Sequence, residues 1–571
     1  MNHHRESLRN NAPAIGALLL GLLAFVAWDG GHVLSPVHVG WVMSGWDTPT
    51  HYLGWEYFRH APWWQWPVGA NPSYGSDAPG TIVLADVVPL LAFALKPFSA
   101  WLPADFQYLG FWIFCCFMLQ AWFGYRLSGR LTFDPWIRLL GCGFFLASSI
   151  FLMRVYLHPA LAGQWIVLAA LYLSLDQRWR PWSWGVLLVA ASLVHAYLLV
   201  MAGAIWSVAI AGRALRRTER LPRLACSMVL TLVAVVLVMW AAGYFVPSSI
   251  ESAPNVGHAN LLTPVWTGSC GSEQWSSMLP CLPLTSEVAL KSGEGFGYFG
   301  LGYLLLVLLA LILLAQRRRA EPVFTANWLW KPPLLASLAL LAFAFGNEIR
   351  AGNHLLLSFR LPGPIERLWE MFRAAPRMEW PMWYLLLLLS LGVVVSRLGV
   401  RCSRAALTFA LIVQCVDLSG MANHVHRDIA ERSHYRSVLK APAWKSMAGN
   451  YKHVVYLSTA GFSPYLVGWI PHYKNLAHYA VLHGMSINTA YLARLNLSRL
   501  AAARTRREAL LAEGKSEADT FYVVEDAALW SKVLCAHDYG QWHGNIDGLS
   551  VLLPESSGIV DLPRPESCQA D

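Results

Sequence analysis

Apolar stretches recur through roughly the first 420 positions, separated by short polar or basic loops. A helix needs about 20 apolar residues to cross about 30 Å of hydrocarbon. By that measure the chain offers candidate spans near 13–28, 80–96, 106–125, 135–153, 159–175, 182–211, 224–246, 297–315, 328–345, 380–396 and 405–422. Two of these runs are irregular. The run 80–96 is short and contains Asp86 and Pro89, which suits a partly embedded helix. The run 182–211 would measure about 45 Å as one helix, so it is either one overlong span or two short helices turning near His195-Ala196. The pattern predicts a polytopic α-helical membrane protein with about 11–13 spans. The alternation over ten-residue segments that an outer-membrane barrel needs is missing.

After position 422 the pattern changes. Residues 423–571 hold 15 Lys/Arg and 14 Asp/Glu and no long apolar run. Strand-like pieces (453–458, 520–526, 548–554) alternate with helix-like ones (472–495, 498–514, 527–536), which predicts a small α/β domain. The domain division expected is therefore a membrane body over 1–422 and a soluble domain over 423–571.

Charge orients these elements. Residues 213–223 hold five Arg against one Glu, Arg317 to Arg319 sit together, and Arg397, Arg401 and Arg404 form a third cluster. Each follows an apolar run, as the positive-inside rule expects of cytoplasmic loops. Arg5 and Arg9 precede the first run, as in a signal peptide or, the reading preferred, an uncleaved anchor with a cytoplasmic amino terminus; either choice leaves residue 30 outside. Loops 30–79, 247–296 and 346–379 and the C-terminal domain face the exterior, the periplasm of a bacterial inner membrane. The net charge of +9 is accounted for by this topology, and nucleic acid is not an expected partner. Composition agrees: 56% of residues are hydrophobic and 13% charged, which excludes an ordinary soluble enzyme.

Of the ten cysteines, Cys270, Cys281, Cys535 and Cys568 fall in exterior regions, where pairing is permitted. Cys270 with Cys281 is the disulfide expected first. There is no Cys/His metal spacing, P-loop or convincing dinucleotide fingerprint, so ATP-driven transport by this chain alone is not expected.

The first exterior loop, 45-GWDTPTHYLGWEYFRHAPWWQWPVGANPSYGSDAPG-80, is rich in chemistry. Asp47 opens a helix-like run through Arg59. Its plain reading is an N-cap with Pro49 in the first turn; its functional reading is a general base for an acceptor hydroxyl at the membrane surface. Asp77 sits in a Gly/Ser/Pro-rich turn, which explains it well enough. Asp86, an acid within an apolar segment, should face a polar interior and lines the site or makes a structural pair.

Loop 346–379 carries Arg350, Arg360, Arg367, Arg373 and Arg377 where the positive-inside rule favours no arginine. A guanidinium donates in pairs and stays charged, which suits phosphate. Arg373 and Arg377 flank Pro376 at the mouth of a span; the alternative for these arginines is pairing with Glu348, Glu366, Glu370 and Glu379. Arg154, His158 and His195 are ionisable groups at membrane depth, each either a packing residue or part of a site. In the C-terminal domain, Arg504, Arg506 and Arg507 read as a solvated helix face.

The loop order resembles the C-type (GT-C) superfamily of polytopic membrane glycosyltransferases. The residues that carry this are Gly45-Trp46-Asp47 through His51-Tyr52, then Trp55-Glu56-Tyr57-Phe58-Arg59, similar to a "GxDxxxHYxGWxFFR" loop in bacterial members of that superfamily. The multi-span body with an exterior C-terminal domain is similar too. The resemblance implies a sugar donor on a polyprenyl phosphate and an exterior glycan, lipid or protein acceptor. It gives Asp47 the catalytic base role; Asp86, as an acid in an apolar segment, is the second catalytic candidate. Arg373, Arg377, His195 and Arg59 would bind the donor phosphate, and His51, Glu56, Asp77, Arg154 and His158 would line the substrate pocket. Thr48 stands where related protein mannosyltransferases often carry a second acid, so a divalent cation (Mg or Mn) is not indicated by sequence. Two other classes stay open: a non-enzymatic transporter or flippase of a lipid-linked glycan, and an envelope-assembly scaffold.

Overall fold

Helices carry the apolar stretches. The computed structural model describes residues 2–29, 31–45, 47–248, 257–270, 274–316, 328–432, 434–458, 471–536, 541–554 and 559–567, with backbone alone for 2–12 and 471. Trp46, Arg317 to Arg319 and Cys568 lie outside the described residues, as do the side chains of Arg5 and Arg9.

Two compact units emerge. The first comprises Met1–Ser35, Tyr108–Val238 and Pro254–Glu431; the second comprises Pro36–Gln107, Met239–Ala253 and Arg432–Asp571. The long first loop thus belongs with the C-terminal residues.

Five helices among the described residues are long and apolar enough to cross a membrane: Ala196–Leu215, Leu221–Ala242, Trp328–Phe345, Ala375–Arg397 and Val400–Glu431, all in the first unit but for residues 239–242. A sixth candidate is the pair Pro135–Leu146 and Ser149–Leu157, bent by 44°. Other expected runs form shorter apolar helices, Pro13–Asp29, Pro159–Ser174, Pro181–Val194 and Leu301–Ala315. Helix breaks account for the shortening of Pro159–Ser174 and Pro181–Val194. Pro159 follows His158, and a residue before proline is pushed out of the α region. At His195 the backbone is extended (φ −165°, ψ 139°), and the ring Nδ1 accepts the Tyr197 N–H at 3.2 Å. A histidine here does what a Ser or Asp cap does elsewhere. The 182–211 run is accordingly two helices, Pro181–Val194 and Ala196–Leu215.

The first unit also contains the disulfide Cys270–Cys281, with Cα atoms 5.3 Å apart. The buried Asp417 of Val400–Glu431 anchors the segment around 276–301: its carboxylate accepts from the Ser276 hydroxyl, the Tyr298 hydroxyl at 2.6 Å and the Leu301 amide at 2.9 Å. A carboxylate inside an apolar helix is costly unless satisfied in this way.

The second unit is built on a five-stranded sheet in the order Ser486–Ile487, His453–Leu457, Thr520–Val524, Leu549–Leu553, Trp542–Ile546. The first three strands are parallel and the last two join antiparallel. Val455, Leu457, Tyr522 and Val524 meet Leu511, Trp530 and Val533 from the helices Leu497–Ala512 and Ala527–Ala536. Each such side chain contributes about 1.5–3 kcal/mol through burial. The expected helix 472–495 is shorter, Pro471–Leu482, because Gly484 turns the chain at φ 70° toward the strand Ser486–Ile487.

The first loop packs against this sheet. Gly75 and Ser76 donate their amides to the Ile487 carbonyl at 3.0 and 2.9 Å, and Ile487 N–H returns a bond to Ser73 at 3.0 Å. Within the loop, helix Thr48–His60 is buried almost throughout. The run 80–96 is not a span. It forms a short strand Gly80–Thr81, turns, and the seven-residue helix Pro89–Leu95, about 10 Å long.

Candidate functional site

Five of the residues singled out from the sequence sit together in the first unit, each at a helix break or end. Arg154 lies in the last turn of Ser149–Leu157, His158 directly follows it, and His195 heads Ala196–Leu215. Arg373 precedes, and Arg377 lies within, the short turn Ala375–Glu379 that leads into Trp380–Arg397. The rings of His158 and His195 meet edge to face at 5.6 Å.

The element that joins them is Glu294, which the sequence reading missed. Arg377 donates Nε and Nη2 to Glu294 Oε2 at 3.0 and 2.5 Å. Arg154 Nη1 lies 3.5 Å from the same oxygen, and Arg154 Nη2 donates to the Glu294 backbone carbonyl at 2.6 Å. Two guanidiniums thus share one carboxylate. Both are buried. Aromatic faces complete the seat: Arg377 lies 5.0 Å from the Tyr197 ring centroid and Arg154 lies 5.4 Å from that of Trp380. The Tyr197 hydroxyl accepts the Ala374 N–H at 2.9 Å, which ties the His195 break to the Arg377 turn.

The electrostatics follow from this packing. Burial opposes the Glu294 charge, but Arg377 and Arg154 outweigh it and hold the carboxyl far below the usual carboxylate range. His158 is buried beside this cluster, its ring against that of His195. The arrangement is suited to a small oxyanion, because two buried guanidinium forks are fixed side by side.

In the second unit, Asp47 occupies the N-cap position of Thr48–His60, but its side chain makes no cap hydrogen bond. The plain expectation of side-chain capping is thus corrected; the Thr48 hydroxyl instead donates to the Val42 carbonyl at 2.7 Å. Lys474 lies near Asp47. Burial lowers the Lys474 pKa, Asp47 opposes that, and Arg432 adds to it. Asp86 has φ 49° and Val88 φ 56°, both in the left-handed region. For a β-branched residue such as Val88 that conformation is strained, and strain of this kind clusters at functional sites. The charge of Asp86 adds to burial in raising the Tyr244 phenol.

Three other expected site residues, Arg59, Glu56 and Asp77, have structural work here. Arg59 gives Nη1 to Glu56, Pro103 and Ala104 and Nη2 to Ser99 and Leu102, so its terminal nitrogens hold the loop 99–104. Glu56 is fully buried, and burial outweighs the pull of Arg59, raising its pKa to about 8. Asp77 is in a buried ion pair with Arg507, which also holds Glu517 at 2.9 Å. This corrects the solvated-face reading for Arg507; Arg506 remains exposed. His51 is buried. Nearby, the Tyr52 hydroxyl donates to Asp105 Oδ1 at 2.9 Å, and His478 Nε2 lies 2.8 Å from the same oxygen.

A family model described as a domain of unknown function (DUF6311) matches residues 18–419, and its C-terminal domain matches residues 443–554. The chain belongs to that family. Comparison with curated proteins finds no match.

Proposed function

For this member of the DUF6311 family we propose a membrane glycosyltransferase of the GT-C type. It works in a bacterial inner membrane with its C-terminal domain in the periplasm. It moves a sugar from a polyprenyl-phosphate donor to a hydroxyl of an exterior glycan, lipid or protein. The observation that supports this most is the cationic seat of Arg154 and Arg377, with His158, His195 and Arg373 around it, at the broken ends of apolar helices. In the transfer, the acceptor oxygen bonds to the anomeric carbon, the bond from that carbon to the phosphate oxygen breaks, and the phosphate leaves with the electron pair. Fixed guanidiniums favour that step by stabilising the charge developing on the phosphate. Asp47 takes the acceptor proton, a role given by the resemblance; Asp86, in its strained turn, is the second candidate.

The breaks at His158 and His195 also favour a transporter reading, since discontinuous apolar helices commonly frame substrate paths. One experiment separates the two. The exterior glycans of a deletion strain are profiled by mass beside strains carrying Asp47→Asn, Asp86→Asn or Arg377→Ala, with membrane insertion checked in each. Loss of one sugar unit in the deletion and in Arg377→Ala, and in one aspartate variant, supports transfer. Accumulation of a complete, unchanged glycan on the inner face supports transport.

A further inference from the structure

The Glu294 carboxylate sits unusually for a buried salt bridge. The side chains of Arg154 and Arg377 are 5% and 9% exposed, while that of Glu294 is 45% exposed. The two cations are therefore the buried members of the cluster, and the Glu294 side chain is the more open one. The backbone around it is glycine-rich, Gly293-Glu294-Gly295-Phe296-Gly297. Gly295 is required for the approach, because a Cβ there would stand 2.2 Å from Pro376 Cβ, beside Arg377. Arg154 also holds the Glu294 main-chain carbonyl, so the backbone stays anchored when the side chain swings away.

We infer that the Glu294 carboxylate is an exchangeable counter-ion: a phosphate headgroup entering the seat takes over the Arg154 and Arg377 forks, and Glu294 reclaims them as the phosphate leaves. This rests on the phosphate-binding reading above. A carboxylate and a phosphate present similar oxygen pairs to a guanidinium, so one can replace the other without rearranging the cations. Two anions in one seat repel each other, so the exchange weakens phosphate binding and speeds product release. Because the two arginines keep Glu294 ionised, a competing anion, and not exterior pH, governs the exchange.

The test uses the full chain in lipid nanodiscs, with binding of a radiolabelled polyprenyl monophosphate, inorganic phosphate and an uncharged polyprenol. Glu294→Gln removes the competing charge and keeps the shape, and should bind the phosphate lipid about tenfold tighter than wild type. Glu294→Asp, with its shorter reach, should fall between them, and it carries the same comparison if Glu294→Gln fails to fold. Arg377→Gln should lose phosphate binding. Tightening for the lipid alone assigns the ligand as a lipid headgroup, and tightening for both phosphate probes assigns recognition to the phosphate itself. Unchanged or weaker binding in the Glu294 variants, with loss in Arg377→Gln, overturns the exchange while leaving the phosphate site standing. Equal binding by wild type, Arg377→Gln and the polyprenol control overturns the phosphate reading itself.

Discussion

Arg507 and Asp77 form an ion pair across 430 positions of sequence, with the Asp77 side chain 4% exposed. The turn that carries Asp77 is also bonded through its main chain to Asn488, 3.1 Å from the Asp77 amide. The pair fastens the first loop to the sheet of the second unit.

Removing one partner of a buried pair leaves the other charge uncompensated, which costs about 3 kcal/mol. Asp77→Asn and Arg507→Met should each lower stability by that order in chemical denaturation. The double variant should lose less than the two single losses combined. Strict additivity would show that the two residues do not interact.

Glu56 supplies a pH dependence with a definite sign. Its pKa is raised to about 8 in the folded chain, while an unfolded Glu titrates near 4.3. Between those values the folded state holds a proton that the unfolded state has lost. Stability from this group is therefore complete at acid pH, falls as pH rises toward about 8, and is flat above it. The slope is at most about 1.4 kcal/mol per pH unit. Glu56→Gln should abolish that slope in paired denaturation scans from pH 5 to 9. A variant that tracks wild type at every pH would contradict the burial argument.

Arg377 uses two nitrogens of one planar fork, a geometry that lysine cannot reproduce. If the proposed transfer is right, Arg377→Lys should keep the charge yet lower the sugar-transfer rate by about a hundredfold. The rate is measured with a polyprenyl-phosphate donor in nanodiscs. Full activity in the Lys variant would mean that charge alone suffices.

The Cys270–Cys281 bridge closes a loop with a sequence separation of 11. A bridge of that size stabilises by about 3 kcal/mol in the chain-entropy picture. The paired Cys270→Ser and Cys281→Ser variant should melt lower, and reductant should lower wild type but not the variant. Cys535 is disulfide-bonded as well, so the reductant comparison needs a Cys535→Ser background.

What could be read from the chain depended on the range of the interaction. The break at His195 was legible because 30 apolar residues overshoot a bilayer as one helix. The strands at 453 and 520 were legible because their apolar runs are short and β-branched or aromatic, and that at 549 because its apolar run is short and bounded by Gly548 and Pro554. The strand Trp542–Ile546 was not, since its Gly544 and Asn545 resemble a turn. Arg154, His158, His195 and Arg377 stood out as ionisable groups among apolar runs, but Glu294 sits in a polar glycine-rich loop where an acid attracts no notice. Its role depends on guanidiniums 83 and 140 positions away. Arg59 looked like a phosphate ligand because nothing local shows that four carbonyls surround it. Asp77 looked like a turn residue because its partner lies in another part of the chain.

The sheet edge at Ser486–Ile487 has a consequence for how the protein is made. Residues 73–77 are translated early, and the strand they lie against is translated some 400 positions later. Until then the first loop has a main-chain ladder without its other half. A ribosome stalled anywhere before that strand leaves a nascent chain with an open seam, a natural target for quality-control proteases. Completion of the second unit therefore reports that everything between has been made.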